Sequence, residues 1–167
     1  NSIAFELLNE VRNVDPEKWN SLAEKTIAAI RKTNNERKII IGSTCWNSPD
    51  TLDVLRLYDD ENVIYTFHDY MPFEFTHQRG VLQPQTLYYN RAMAYPDGIE
   101  KYIHYETVVN NNPHQYDGFE RMDINFVRAS LKGAVKFAKE HPDKILWCGE
   151  FGTIRHADIK WRENWMR

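Results

Sequence analysis

The chain has 167 residues, of which 42% are hydrophobic and 27% charged, and its formal net charge is −3. This composition is typical of a globular domain with one sizeable core, and it argues against a basic surface that binds nucleic acid. No run of 18 apolar residues occurs, so the sequence predicts no membrane-spanning helix.

Strands and helices are predicted to alternate over the first 70 residues. We expect strands at 2–8, 38–42 and 62–67, with helices over 16–33 and from Ser48 to about Leu57 between them. Asp15 is the expected N-cap of the first helix, which carries apolar residues at helical spacing. The apolar run at 38–42 suits a parallel strand covered on both faces. The alternation therefore predicts parallel βα units of an α/β fold.

The pattern changes after the third strand. Residues 71–122 contain no clear strand and are rich in aromatic residues, Asn, Pro and Gly. A stretch of this length far exceeds the roughly 2–6 residues of an ordinary βα connection, so we expect an inserted subdomain or lid. A short helix is predicted from Ile99 to Val109 within it. One further helix between Asp123 and His141, and a last strand at 145–149, complete the predicted elements.

Two glutamates stand at the ends of short apolar runs. Glu10 closes the run that begins at Ile3, and Glu150 closes the run that begins at Ile145. Buried strands normally end in turn residues rather than carboxylates, so two such cases in one chain are unusual. Glycoside hydrolysis uses a pair of this kind, with one carboxyl as acid/base and one as nucleophile. The alternative is that each glutamate is only a charge at the start of the following helix.

Three motifs carry a resemblance to a known family. They are Phe-Glu-Leu-Leu-Asn-Glu at 5–10, Tyr-Thr-Phe-His-Asp-Tyr at 65–70 and Cys-Gly-Glu-Phe-Gly at 148–152. In this order they resemble the endo-β-1,4-glucanases, or cellulases, of glycoside hydrolase family 5. Val11 stands where the family often has Pro, and Asp69 where near relatives often have an aromatic residue. Neither departure touches a catalytic position.

The resemblance implies a (β/α)8 TIM barrel, which typically needs about 250 residues. Four strong strands are predicted, so we expect residues 1–167 to form part of a catalytic domain, roughly strands 4 to 7, with the lid at about 71–122. A small four-stranded α/β domain, complete in itself, stays open as an alternative. Strands cut from a barrel leave unpaired edges. We therefore expect a complementary barrel segment or a second copy as a partner.

The resemblance also implies roles for individual residues. Glu10 would be the acid/base and Glu150 the nucleophile. Asn9 would bind the 2-hydroxyl of the sugar, and His68 would bind sugar hydroxyls or orient the acid/base. Tyr70 would donate its hydroxyl to Glu150 and keep that carboxylate ionised.

Other residues are candidates on weaker grounds. Trp46 follows a predicted strand on the expected catalytic side, where its ring could stack on glucose, although aromatic residues are more often core. Cys45 and Cys148 are expected to be free thiols, because strands two apart separate them by about 10 Å, beyond the roughly 7 Å reach of a disulfide. No His-Glu-x-x-His or Cys-x-x-Cys motif occurs, so we expect no metal and no cofactor.

The sequence therefore favours a retaining endo-acting hydrolase of cellulose-type β-1,4-glucan, whose partner is a β-glucan polysaccharide or oligosaccharide rather than nucleic acid or a membrane. Mannan or mixed-linkage β-glucan within the same family stays open. The alternative from another class is a non-catalytic carbohydrate-binding or assembly fragment that acts only with the rest of the barrel. The cysteines do not decide the compartment, and we favour a secreted protein over a cytoplasmic one.

Overall fold

The computed structural model describes residues 3–82 and 84–167. The chain divides into two compact units. The first unit is formed by Asn1–Asp69 and Leu131–Glu150, and the second by Tyr70–Ser130 and Phe151–Arg167. No helix in the described ranges is long and apolar enough to cross a membrane.

Six strands and seven α-helices make up the described chain. The strands are β1 (Ala4–Glu6), β2 (Lys38–Gly42), β3 (Val63–Asp69), β4 (Asp97–Gly98), β5 (Arg121–Met122) and β6 (Ile145–Phe151). The helices are α1 (Pro16–Arg31), α2 (Phe73–Thr76), α3 (Pro84–Tyr89), α4 (Glu100–Tyr105), α5 (Ile124–Ser130), α6 (Lys132–Glu140) and α7 (Ile159–Met166). A 3-10 helix spans Pro49–Val54 and a π-helix spans Glu106–Asn110.

The main sheet has four strands in the order β1-β2-β3-β6. β1 pairs with β2 in parallel, and β2 pairs with β3 in parallel, with Ala4 opposite Lys38 and Ile39 opposite Val63. The order in the sheet is the order of the four predicted strands along the chain. This confirms the predicted α/β fold with parallel βα units.

The core of the first unit lies between the sheet and its helices. Helix α1 begins as expected, because the Asp15 side chain accepts hydrogen bonds from two amides of the first turn. The indole N–H of Trp19 donates to the carbonyl of Gly42 over 2.9 Å, which ties α1 to β2. Helix α6 packs against the 3-10 helix, where a Cβ at Gly133 would lie 2.3 Å from the carbonyl oxygen of Pro49. Both free cysteines lie in this unit.

Several element bounds differ from those expected from the sequence. The first strand ends at Glu6 rather than residue 8, and the backbone then takes a positive φ of 49° at Glu10. The helix expected to reach Leu57 is a 3-10 helix, which ends because Leu55 adopts an extended conformation. The helix expected between Asp123 and His141 is two helices, because Leu131 departs from helical geometry with a ψ of 1°.

The second unit has a core of its own, built mainly from aromatic residues. Phe75, Met93, Tyr95, Ile99, Tyr102, Tyr116, Met122, Phe126, Ala157 and Trp165 form its buried cluster. The short β4 and β5 pair antiparallel, in a region where the sequence had shown no clear strand. The helix predicted from Ile99 to Val109 is present as α4 and the π-helix that follows it. That residues 71–122 form a lid on the catalytic face stays a prediction.

A buried glutamate distinguishes the second unit. The side chain of Glu74 is 2% exposed, and it accepts a hydrogen bond from the hydroxyl of Tyr116. Glu106 is its carboxyl neighbour, and Glu106 in turn accepts from Asn110 over 2.9 Å. Burial raises the pKa of Glu74 to about 8, and the neighbouring carboxyl group of Glu106 adds to the rise. The neutral form of the Glu74 carboxyl is therefore favoured in the folded protein.

Candidate active site

The first unit positions three titratable side chains from distant parts of its sequence. Glu10 follows β1 in irregular backbone, His68 lies at the end of β3, and Glu150 lies in β6. Glu10 adopts a positive φ, which non-glycine residues rarely take. Strained backbone of this kind is concentrated at functional sites, because the surrounding structure must hold it in place.

The imidazole of His68 lies between the two carboxylates. Its Nδ1 is 3.0 Å from Oε1 of Glu10 and 3.5 Å from Oε2 of Glu150. One side-chain oxygen of each glutamate and a ring nitrogen of His68 all lie within 4.8 Å of one another. The structure thus brings together Glu10, His68 and Glu150, which the sequence had predicted as site residues. It places the two carboxyl groups close enough to act on one glycosidic bond.

Exposure differs between the three side chains in a way that suits different tasks. The His68 side chain is 4% exposed, whereas those of Glu10 and Glu150 are 33% and 39% exposed. A substrate can therefore reach both carboxylates, while His68 supports them from inside the protein. Nearby, partial burial is the largest cause of a raised pKa of Glu6, and the charge of Glu150 adds to it.

Asn47 is a residue of this site that sequence reasoning missed. Its side chain is fully buried, and its amide nitrogen Nδ2 lies 3.3 Å from Nε2 of His68. Its backbone carbonyl accepts the amide hydrogen of His68 over 2.8 Å. Asn47 has a φ of 54°, a left-handed conformation that asparagine tolerates better than most residues. The Asn-Ser-Pro sequence that follows Trp46 could have signalled a turn, but not the contact with His68.

Two glycines make room for this pair of side chains. A Cβ at Gly42 would lie 2.1 Å from Oδ1 of Asn47, so the amide packs directly on the β2 backbone. A Cβ at Gly149 would lie 2.6 Å from the hydroxyl of Thr66 and 3.2 Å from Nε2 of His68. Any larger residue at Gly42 would displace Asn47, because the amide has no free space on that side.

The other predicted site residues are Asn9, Trp46 and Tyr70. Asn9 is exposed beside Glu10. Trp46 is 47% exposed, and the guanidinium carbon of Arg12 lies 5.5 Å from its ring centre, so one face of the indole is already occupied. Tyr70 belongs to the second unit, and its predicted hydrogen bond to Glu150 stays a prediction.

The same three residues also have the spacing of a cation site. In residues 3–82 and 84–167, Glu10, His68 and Glu150 form the one group of three side chains with suitable spacing. Exposed acidic groups often lie this close without an ion, and an imidazole between two carboxylates serves proton transfer equally well. That the group serves acid–base chemistry stays a prediction.

Comparison with known proteins decides the family. A family model described as Cellulase (glycosyl hydrolase family 5) matches residues 1–167. The chain belongs to glycosyl hydrolase family 5. The resemblance carried by the three sequence motifs is thereby confirmed.

Relatives of this family 5 chain include named endoglucanases. Endoglucanase C of Acetivibrio thermocellus is 39% identical over 175 residues, which cover 98% of this chain and 49% of that protein. A solved structure of a hyperthermophilic endo-β-1,4-glucanase in complex with substrate is 31% identical, with a TM-score of 0.72, and the match covers 97% of this chain and 44% of that one. Cel5A of Thermotoga maritima in complex with mannotriose is 30% identical, with a TM-score of 0.64 and coverage of 96% and 45%.

These matches also give the share of the relatives' length that this family 5 chain covers. The chain spans about half the length of the curated relatives that it matches. Its parallel sheet and helices correspond to part of the (β/α)8 barrel of these endoglucanases, as the resemblance implied.

Proposed function

We propose that the protein is a retaining endo-acting hydrolase of β-1,4-glucan, with Glu10 as acid/base and Glu150 as nucleophile. The observation that carries this proposal is the approach of one oxygen from each carboxylate to within 4.8 Å. Retaining glycosidases hold their carboxyl groups about 5–5.5 Å apart, whereas inverting enzymes separate them by about 6.5–9.5 Å to admit a water molecule. The spacing therefore favours retention.

In the first step the carboxylate of Glu150 attacks the anomeric carbon, and the bond from that carbon to the leaving oxygen breaks. Glu10 gives its proton to the leaving oxygen, so the departing chain leaves as an alcohol. The product of this step is a glycosyl ester on Glu150, and Glu10 is left as a carboxylate.

In the second step Glu10 acts as a base. It removes a proton from water while the water oxygen attacks the anomeric carbon, and the ester bond to Glu150 breaks. The sugar leaves with its original anomeric configuration, and both glutamates return to their starting protonation states. Two displacements on opposite faces of the ring give net retention.

Neighbouring residues are proposed to bind and orient. Asn9 would donate to the 2-hydroxyl of the sugar, a contact that strengthens as positive charge develops on the ring. Tyr70 would donate its hydroxyl to Glu150, and His68 would hold Glu10. Trp46 would offer its open indole face to a glucose ring.

The substrate is proposed to be cellulose-type glucan, because the relatives are endoglucanases and one was solved with its substrate. A relative solved with mannotriose makes mannan the substrate to compare with it. Initial rates of the complete protein on carboxymethylcellulose, mixed-linkage β-glucan and β-mannan test this choice. A higher kcat/KM on mannan than on both glucans would contradict it.

Retention of the anomeric configuration can be tested separately from substrate choice. Proton NMR of a soluble cello-oligosaccharide during hydrolysis distinguishes the β-anomer from the α-anomer before the two equilibrate. We expect the β-anomer to accumulate first, because two inversions restore the starting configuration. The α-anomer as first product would show inversion and would contradict the assignment of Glu150 as nucleophile.

A non-catalytic role for the 167-residue segment is the second candidate. Edge strands β1 and β6 carry exposed apolar side chains, including Phe5 and Trp147, which suits contact with a complementary barrel segment or a second copy. Reducing-end assays on carboxymethylcellulose, with the segment alone and then with the complementary barrel piece, separate the two roles. Activity that appears only after addition supports the assembly role of this segment.

A further inference from the structure

The His68 ring has different neighbours on its two nitrogens. Nδ1 lies 3.0 Å from Oε1 of Glu10 and 3.5 Å from Oε2 of Glu150, and these oxygens accept hydrogen bonds. Nε2 lies 3.3 Å from Nδ2 of Asn47, which can only donate. Nδ1 must therefore carry a hydrogen, and Nε2 must present its lone pair. This is the neutral imidazole with its proton on Nδ1.

The opposite orientation of the amide would require a charged ring. Turned over, Asn47 would present Oδ1 to Nε2, and both ring nitrogens would then have to donate. The observed orientation needs one ring hydrogen, whereas the reversed amide needs a second one on a side chain that is 4% exposed. Oδ1 has no hydrogen-bond partner in the present orientation. A buried oxygen without a partner is destabilising. It is tolerated here because the packing of Asn47 on Gly42 fixes the position of the amide.

We propose that Asn47 is a positioning residue that keeps His68 neutral, with its single proton on Nδ1 and directed at the catalytic carboxylates. This inference rests on the proposed function, since it concerns how Glu10 is prepared as the acid. Asn47 touches neither substrate nor reacting atoms, and it acts through His68.

A neutral ring matters because of what Glu10 has to do. An imidazolium 3.0 Å away would favour the ionised form of Glu10 and reduce the amount of acid available to protonate the leaving oxygen. A neutral Nδ1–H still orients the side chain. Donation to Oε1 leaves Oε2 as the oxygen that carries the acid proton.

The substitution Asn47→Asp tests the proposal with little change of shape. A carboxylate at this position accepts a hydrogen from Nε2 and therefore favours the doubly protonated ring. Nitrogen-15 NMR of histidine-labelled complete protein reads the protonation of each ring nitrogen, and a His68→Gln spectrum assigns the His68 signals. In the unmodified protein we expect Nδ1 protonated and Nε2 bare, and in Asn47→Asp both protonated. Protonated Nε2 in the unmodified protein, or an unchanged His68 in the variant, would overturn the proposal.

Kinetic measurements can distinguish a positioning role of Asn47 from a merely structural one. General acid catalysis contributes about 10²–10⁴-fold, so we expect Asn47→Asp to lower kcat on cello-oligosaccharides by about tenfold while KM changes less than about twofold. Aryl glycosides with activated leaving groups need less protonation and should lose less. An equal loss on both substrates, or no loss, would overturn the catalytic part of the proposal. The NMR measurement needs no substrate, so a wrong proposed function would leave it interpretable.

Two further variants make the experiment independent of folding. Asn111→Asp adds the same charge at an asparagine that also has a positive φ but is exposed and lies in the second unit, and it should leave the His68 spectrum unchanged. Asn47→Gly keeps the positive φ without strain and removes the amide, so it serves if Asn47→Asp does not fold. With no donor beside Nε2, we expect Nε2 to be protonated in part of the molecules, while Nδ1 keeps the hydrogen that faces both carboxylates. A His68 whose Nε2 stays entirely bare in Asn47→Gly would overturn the role of the amide.

Discussion

His68 contacts Glu10 across 58 residues of sequence, with Nδ1 and Oε1 3.0 Å apart. The contact joins the end of β3 to the segment after β1, two strands that are separated by β2 in the sheet. The position of the proposed acid therefore depends on the assembled sheet rather than on local sequence. Substitutions of Glu10, of His68 and of residues in the sheet should have effects that can be measured separately.

The substitution Glu10→Gln removes the proposed acid and base but keeps the size of the side chain. On cellulose we expect hydrolysis to fall by about 10²-fold or more, because the leaving oxygen no longer receives a proton. On an aryl cellobioside with a good leaving group, formation of the glycosyl-enzyme should be much less affected. Burst kinetics on the complete protein measure this difference. Glu150→Gln is the matched control, since loss of the nucleophile should abolish activity on both substrates.

The substitution Trp46→Ala tests stacking on sugar. Aromatic contacts of this type contribute about 0.5–1.5 kcal/mol, so KM for cello-oligosaccharides should rise by about 2–10-fold with a smaller change in kcat. Arg12 already covers one face of the ring, and Trp46→Phe should restore part of the affinity. A KM that does not change in Trp46→Ala would show that the indole does not contact substrate.

The buried Glu74 predicts that stability falls as pH rises. Below pH 4.5, the ordinary pKa, Glu74 is protonated in both folded and unfolded chains. Between 4.5 and about 8 the unfolded chain releases the proton and the folded chain keeps it. The free energy of unfolding should therefore decrease over this window, by at most about 1.4 kcal/mol per pH unit.

Hydrogen exchange of amides in the second unit, followed from pH 5 to 8 and corrected for intrinsic rates, measures this dependence. Glu74→Gln cannot titrate and should lose the slope. Glu163→Gln removes an exposed carboxylate from the same unit and should keep it. A slope that persists unchanged in Glu74→Gln would assign it to another group.

The substitution Gly133→Ala tests the contact between α6 and the 3-10 helix. The added Cβ would lie 2.3 Å from the carbonyl oxygen of Pro49, and backbone cannot move aside easily. We expect a loss of about 1–3 kcal/mol in stability, as overpacking usually costs. In Gly98→Ala the new Cβ meets only the end of the flexible Glu100 side chain, so it should cost much less. Urea denaturation of both variants provides the comparison.

Much of this fold follows from local sequence. The apolar run at 38–42 predicted β2 at its observed bounds, and Asp15 predicted the start of α1. Glu10, His68 and Glu150 were predicted as site residues, because each stands at or near the end of an apolar strand in a family motif. In each case the signal lies within a few neighbouring residues.

The remaining features depend on contacts between distant residues. The role of Asn47 requires a positive φ and the space left by Gly42 and Gly149. Neither feature can be predicted from the residues next to Asn47 in the sequence. The break at Leu131 interrupts an apolar spacing that continues on both sides, so periodicity could not show it. The burial of Glu74 depends on the fold of the second unit, and an acidic residue in a loop-rich region gave no sign of it.

The first unit is formed by two separate stretches of the chain, one that ends at Asp69 and one that begins at Leu131. Strands β3 and β6 are nevertheless neighbours in its sheet. The intervening Tyr70–Ser130 contributes to a separate core. The entropy of closing a chain segment grows only with the logarithm of its length, so each doubling costs about 0.6 kcal/mol. Natural variation can therefore lengthen, shorten or exchange this segment at little expense to the sheet that holds the glutamates.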